Sequence, residues 1–269
     1  MKKTDGIEYS KKDNYSLFTI KHFSNDIECL LREHLSCICH GVSDGESGME
    51  LYNYKRTLNE FVKRYRDKPK KIQIGMIGEL LAHIIIREYF PEFKVSSPFF
   101  NLEERSIKKG FDLLLSKSND STLWITEVKS GALHQDKDAS GTINDLILAG
   151  KRDLVERLDD ENASIWMNAI HGAKIVFEKY NDLKTAVVEI LSEYAIDGQS
   201  ARQKRSADYR VLLVGGLFAS TDTVVVESGI QSQQQKIKSE NVFMDVMLLT
   251  IHKNTYTKVY DFIVKECAL

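Results

Sequence analysis

Asp112, Glu127 and Lys129 are the residues of this sequence whose types and spacing most directly suggest chemistry. Asp112 stands near the start of one apolar, β-prone run, residues 111 to 115, and Glu127 near the end of the next, residues 123 to 128. The segment between them is serine-, asparagine- and aspartate-rich, the composition of a hairpin connection. An antiparallel hairpin brings the start of its first strand beside the end of its second. With a turn near residues 118 to 120, the two carboxylates therefore approach each other. Strand alternation places Glu127 and Lys129 on one face and Val128 on the other. Paired carboxylates are oxygen donors suited to a hard divalent cation. Such an ion can activate water, neutralise charge developing at a phosphoryl group and stabilise a leaving oxygen. The Lys129 ammonium beside it could orient or help deprotonate the attacking water. A nearby carboxylate opposes the pKa drop a general base would need, so its role as the base stays open.

The plain alternative is a same-face ion pair between Glu127 and Lys129 on a half-exposed strand. A bare Glu-x-Lys is a weak signal, and Glu92-Phe93-Lys94, preceded by Pro91, shows it occurring at a helix end without a partner carboxylate upstream. The 127/129 pair differs in having Asp112 and in ending an otherwise apolar strand, where charges are costly unless paired or metal-bound.

Elements that must position these groups can be read on either side. From Gly75, Ile77, Leu80, Leu81, Ile84 and Ile85 recur with helical spacing and predict one buried stripe. Glu79, His83 and Arg87 fall on another side. Glu79 could lie across the same strand edge and assist. His83, one turn on, could touch a substrate phosphate or be a surface histidine, and Arg87 reads as solvated. A basic helix is expected over residues 49 to 67, closed by Pro69. A short strand is expected over 93 to 98, a polar loop over 101 to 109, and a helix carrying Ile143, Ile147, Leu154 and Leu158 after the hairpin. Residues 160 to 200 read as mainly helical, 199 to 207 as a basic loop, and 209 to 217 and 242 to 252 as strands that complete the chain. The simplest organisation is a single α/β domain over residues 71 to 269 with a helical insertion at about 160 to 205, preceded by an N-terminal extension over residues 1 to 70.

Composition excludes several classes. No apolar run approaches the ~20 residues of a membrane span, and the first residues lack an apolar export segment, so a cytoplasmic location is expected. Three of the four cysteines crowd at Cys29, Cys37 and Cys39, unlike a secreted disulfide framework. Zinc held by His34, Cys37, Cys39 and His40 is disfavoured, because no second cluster completes the set. A net charge of -2 argues against binding nucleic acid through bulk electrostatics. Local basic density remains, over residues 55 to 71 and at Arg202, Lys204, Arg205 and Arg210. There is no P-loop ending and no Gly-x-Ser-x-Gly elbow.

Gly78-Glu79 on a helix, Gly110-Phe111-Asp112 on a strand and Glu127-Val128-Lys129-Ser130-Gly131 on the next resemble the PD-(D/E)xK, restriction-endonuclease-like superfamily over roughly residues 75 to 158. The resemblance implies an α-β-β-β-α-β core with a mixed central sheet flanked by helices. It also implies Mg2+-dependent phosphodiester cleavage, with Mn2+ as a substitute, Asp112, Glu127 and Glu79 as metal ligands and Lys129 as catalytic helper. No proline precedes Asp112, which is a departure from the motif as usually written. More narrowly, residues 75 to 81, the long C-terminal half and the overall length resemble the HamA family, the nuclease subunits of the bacterial Hachiman anti-phage system. That implies DNA as substrate and a superfamily 2 type helicase partner, HamB, that restrains the nuclease. Two other readings stay open: a non-catalytic DNA-binding or regulatory subunit keeping the fold, and an RNA-directed nuclease.

Overall fold

In the computed structural model, which describes residues 4–100, 110–117, 122–160, 163–197, 205–254 and 256–268, the described strands form one seven-stranded sheet. They are β1 (Ile7–Lys11), β2 (Tyr15–Ile20), β3 (Phe93–Val95), β4 (Leu113–Lys117), β5 (Leu123–Ala132), β6 (Arg210–Phe218) and β7 (Asp245–Lys253), in the order β1-β2-β7-β6-β5-β4-β3. The four central strands β2, β7, β6 and β5 are parallel, and the β1, β4 and β3 pairings are antiparallel. This is the mixed α/β sheet expected from the sequence. β6 and β7 are buried along nearly their whole length. Continuous apolar runs are the pattern of parallel strands covered on both faces.

Alternation sorts the side chains into two cores. Leu113, Leu115, Trp124, Leu212, Val214, Leu249 and Ile251 face a layer made by α1 (Asn25–His40), α3 (Tyr54–Tyr65), α4 (Lys70–Tyr89) and α9 (Thr257–Cys267). Leu114, Ile125, Val211, Leu213 and Leu248 face a second layer made by α5 (Ala139–Asp159), α6 (Ala163–Val176), α7 (Asn181–Asp197) and α8 (Glu227–Ser239). A four-residue helix, α2 (Val42–Gly45), follows α1.

Several elements depart from the sequence reading. The first 40 residues supply the hairpin β1-β2, whose second strand pairs in parallel with β7, and the buried helix α1. Ser24 caps α1 by accepting from the Ile27 N–H. The basic segment is a turn of 3-10 helix followed by α3, capped by Asn53. Pro69 does separate two helices, but the second begins at Lys70 rather than Gly75, because proline's fixed φ suits a helix start. α9 follows the last strand, which the sequence reading left as the end of the fold. The expected loop at 101 to 109, the turn at 118 to 120 and most of the basic loop at 199 to 207 lie outside the described residues.

β5 faces a glycine of a helix on each side, and the approach is closest at Gly78. A Cβ at Gly78 of α4 would overlap the Ser130 side chain, and a Cβ at Gly150 of α5 would lie 3.4 Å from Lys129 Cγ and 3.6 Å from Glu127 Cγ. α4 thus seats its backbone on β5 only because position 78 has no side chain. Gly78→Ala is expected to lower stability by about 1–3 kcal/mol, the range for overpacking a well-packed site. Ser130→Gly in the same chain should restore part of it. Thermal melts of the singles and the double check this, and strictly additive losses would show that the close approach is not the cause.

Candidate active site

Asp112 and Glu127 come together through strand register. Leu113 pairs with Thr126 in the antiparallel β4-β5 ladder, so the next position back places Asp112 opposite Glu127. Asp112 Oδ2 accepts from the Val128 N–H at 2.7 Å, taking the role of a main-chain acceptor where β4 begins.

Glu127 is 1% exposed. Its Oε1 accepts from Lys129 Nζ at 2.8 Å and from Arg157 Nη2 at 3.3 Å, and its Oε2 accepts from Arg157 Nη1 at 2.8 Å. Lys129 also pairs with Asp153 at 2.9 Å. Glu127 and Lys129 therefore share the face that packs on α5, as alternation requires, whereas Ser130 faces α4.

Burial drives the Glu127 carboxyl above the usual carboxylate range, the adjacent Asp112 charge adds to the rise, and Arg157 and Lys129 pull it back. Burial lowers the Lys129 pKa, but Glu127 and Asp153 outweigh it and hold the ammonium above the ordinary lysine value. In this arrangement Lys129 can donate a proton or a hydrogen bond; it is poorly placed to abstract one.

The remaining candidates lie elsewhere. Glu79 is half-buried on α4, in the layer on the opposite face of the sheet from Glu127, and its charge acts on Cys39 of α1. The structure does not draw it to the Asp112/Glu127 pair, and among the described residues no group of three His, Cys, Asp or Glu side chains could hold a metal ion together. His83 is neither a surface histidine nor able to reach a phosphate. It has no exposed surface and packs edge-on to Phe99 with ring centroids 5.8 Å apart. Arg87, expected in solvent, instead lies against α1, where Nη2 donates to the Cys37 carbonyl at 3.5 Å, and burial lowers its pKa. His34 and His40, from the cysteine-rich segment, engage Glu88 and Thr57.

Arg157 is the site residue that sequence reasoning missed. Besides gripping Glu127, its Nη1 donates to the Gly110 carbonyl at 3.2 Å, tying α5 to the approach to Asp112. The signal was present: Gly150, Asp153 and Arg157 are spaced three and four apart, which puts them on one helix face above the Glu-x-Lys strand.

A buried carboxyl with a raised pKa holds its proton to higher pH in the folded chain than in the unfolded one. Folding then takes up a proton in that window, and stability falls as pH rises from the ordinary carboxylate range toward the folded value. Glu127→Gln removes this cost. In metal-free buffer the variant's melting temperature relative to wild type is expected to rise as pH rises through that window and to fall on acidification. Wild type gaining stability over the variant as pH rises would contradict the raised pKa.

Two carboxylates set opposite each other at a strand pair, with a lysine on the second strand's same face, form an oxygen-donor site with an ammonium at its rim. No curated protein matches the chain. No helix among the described residues is long and apolar enough to cross a membrane. A family model does match, over residues 1–267, and on that near-complete coverage the chain belongs to the HamA family.

Proposed function

We propose that the chain is a Mg2+-dependent nuclease cleaving DNA phosphodiester bonds, the effector of an anti-phage complex. Membership of the HamA family suggests a Hachiman defence subunit. The observation that carries the chemical reading is Asp112 opposite Glu127 with Lys129 beside it. The donor set fits the ion. Mg2+ keeps several waters and is commonly bound by one or two carboxylates plus substrate phosphate rather than by a full protein cage, so a third protein ligand is not required. Each carboxylate oxygen has two lone pairs, and the hydrogen bonds from Lys129 and Arg157 leave one acceptor position on Glu127 Oε2. Positive charge there would also relieve the repulsion that Asp112 adds at Glu127.

When bound, the metal would lower the pKa of a water nucleophile and neutralise charge on the phosphoryl oxygens. The chain's own residues would do the rest. Asp112 and Glu127 would hold the ion, with Asp112 fixed by the Val128 N–H and Glu127 by Arg157. Lys129, kept protonated by Glu127 and Asp153, would donate to a phosphate oxygen and offset transition-state charge rather than act as base. Glu79 carries the smallest share of the proposal. A helicase partner of the HamB type would restrain the nuclease and supply further phosphate contacts, consistent with a net charge of -2.

Purified chain incubated with plasmid and Mg2+, alone and with the helicase, is expected to nick or degrade DNA in at least one of the two conditions. Asp112→Ala and Lys129→Ala should each lower the rate by about a hundredfold or more, the scale of losing a positioned catalytic group. Equal cleavage by wild type and both variants would sink the assignment.

A further inference from the structure

The end of β5 opens into a groove of about 660 Å³ that runs from Lys129 across residues 130 to 132 to the first turn of α4 on one side and to α5 on the other. Four cationic groups of lysine or arginine line it: Lys129 from β5, Lys70 and Lys71 from α4, and Arg152 from α5. Its acidic side chains are already engaged, Asp153 by Lys129 and Asp145 by His134 and Lys137. Lys70, Lys71 and Arg152 are exposed and make no ion pair with another described residue. The groove is therefore net positive even though the chain is net negative.

Lys70 and Lys71 are also in the wrong place for the helix they begin. The first turn of α4 contains no acidic residue and its N-cap, Pro69, provides no side-chain cap. Cations at a helix N-terminus oppose the helix dipole and its unsatisfied N–H groups. The arrangement becomes favourable when an external anion lies over that turn. The same anion, continued along the groove, meets Arg152 from the opposite helix layer and ends at Lys129, beside the paired carboxylates.

We infer that this groove is the track for one DNA strand, with Lys70, Lys71 and Arg152 binding backbone phosphates that flank the phosphodiester presented to Lys129. The inference rests on the nuclease reading for the identity of the polyanion. Contacts of this kind position the strand and carry no base sequence, so binding is salt-dependent and indifferent to sequence. Because the cations come from α4 and α5, the strand crosses the carboxyl end of β5 and bridges the two helix layers.

The test is fluorescence anisotropy of labelled DNA in EDTA over a salt series, comparing the full chain with the triple variant Lys70→Gln, Lys71→Gln, Arg152→Gln. Each lost phosphate contact makes the slope of log affinity against log salt shallower by about 0.9 for duplex and 0.7 for single strands. The triple variant is expected to lose about 2 to 3 in slope. Its melting temperature should be equal to or above wild type, since two unfavourable cations leave the α4 terminus, and Lys71→Arg alone should keep the wild-type slope. An unchanged slope, no DNA binding by wild type, or tighter binding of RNA of the same sequence overturns the proposal. Without divalent cation the result is independent of the cleavage assay. A wild type that binds with the expected slope but cuts no plasmid fails the nuclease reading and keeps the groove; one that cuts while the variant slope is unchanged does the reverse.

Discussion

A carboxylate removed from water must be compensated by its surroundings, and Glu127 sets that requirement for the whole site. Two oxygens accept three hydrogen bonds from Arg157 and Lys129, while Asp112 stands opposite and adds like charge. Burying such a group is not a route to stability, because desolvation competes with the ion-pair gain. What it does provide is definition. Arg157 can reach both Glu127 and the Gly110 carbonyl only if α5 crosses β5 at one height, and Asp153 can reach Lys129 only at the same height. At Gly150 a Cβ would meet Lys129 and Glu127 at ordinary van der Waals distance, so the α5 crossing is set by these polar contacts.

On the other face α4 approaches more closely, at Gly78, where a Cβ would overlap the Ser130 side chain. A strand seated in this way has little room to move relative to α4. Catalytic geometry tolerates errors of only a fraction of an ångström. The same two helices carry the cations that line the groove, so the site's rigidity and its charge come from one pair of contacts.

The hairpin was legible because its information is local. A two-residue period, a turn-forming stretch and the paired positions 112 and 127 are all contained in about fifteen residues, and the register follows from them. Placement of Glu79 was not legible in the same way, since helical spacing says which residues share a side and not which side meets the sheet. The three consecutive isoleucines at 84 to 86 were the overlooked warning. A helix that is apolar in successive positions is covered all round, which leaves His83 no water to face and Arg87 only partly exposed. Arg157 needed the same three-dimensional step, although its spacing from Gly150 and Asp153 pointed to it. At the ends of the chain the missed elements had ordinary signals. Leu17 and Thr19 alternate with the buried Ser16, Phe18 and Ile20 after a turn at Asp13-Asn14, and Val259, Phe262 and Ile263 have helical spacing. Nothing local says that β2 finds its partner in β7.

That pairing of Tyr15 with Leu248 has a consequence for synthesis. The hairpin bearing Asp112 and Glu127 can close as soon as it leaves the ribosome, but the sheet that supports it joins segments more than two hundred residues apart. Long-range parallel pairing is slow and pays its loop-closure entropy before any contact rewards it. The β1-β2 hairpin must wait, with one strand edge unpaired, until β7 has been made. The topology thus delays assembly: of the described strands, the last to be translated is the one that completes the scaffold.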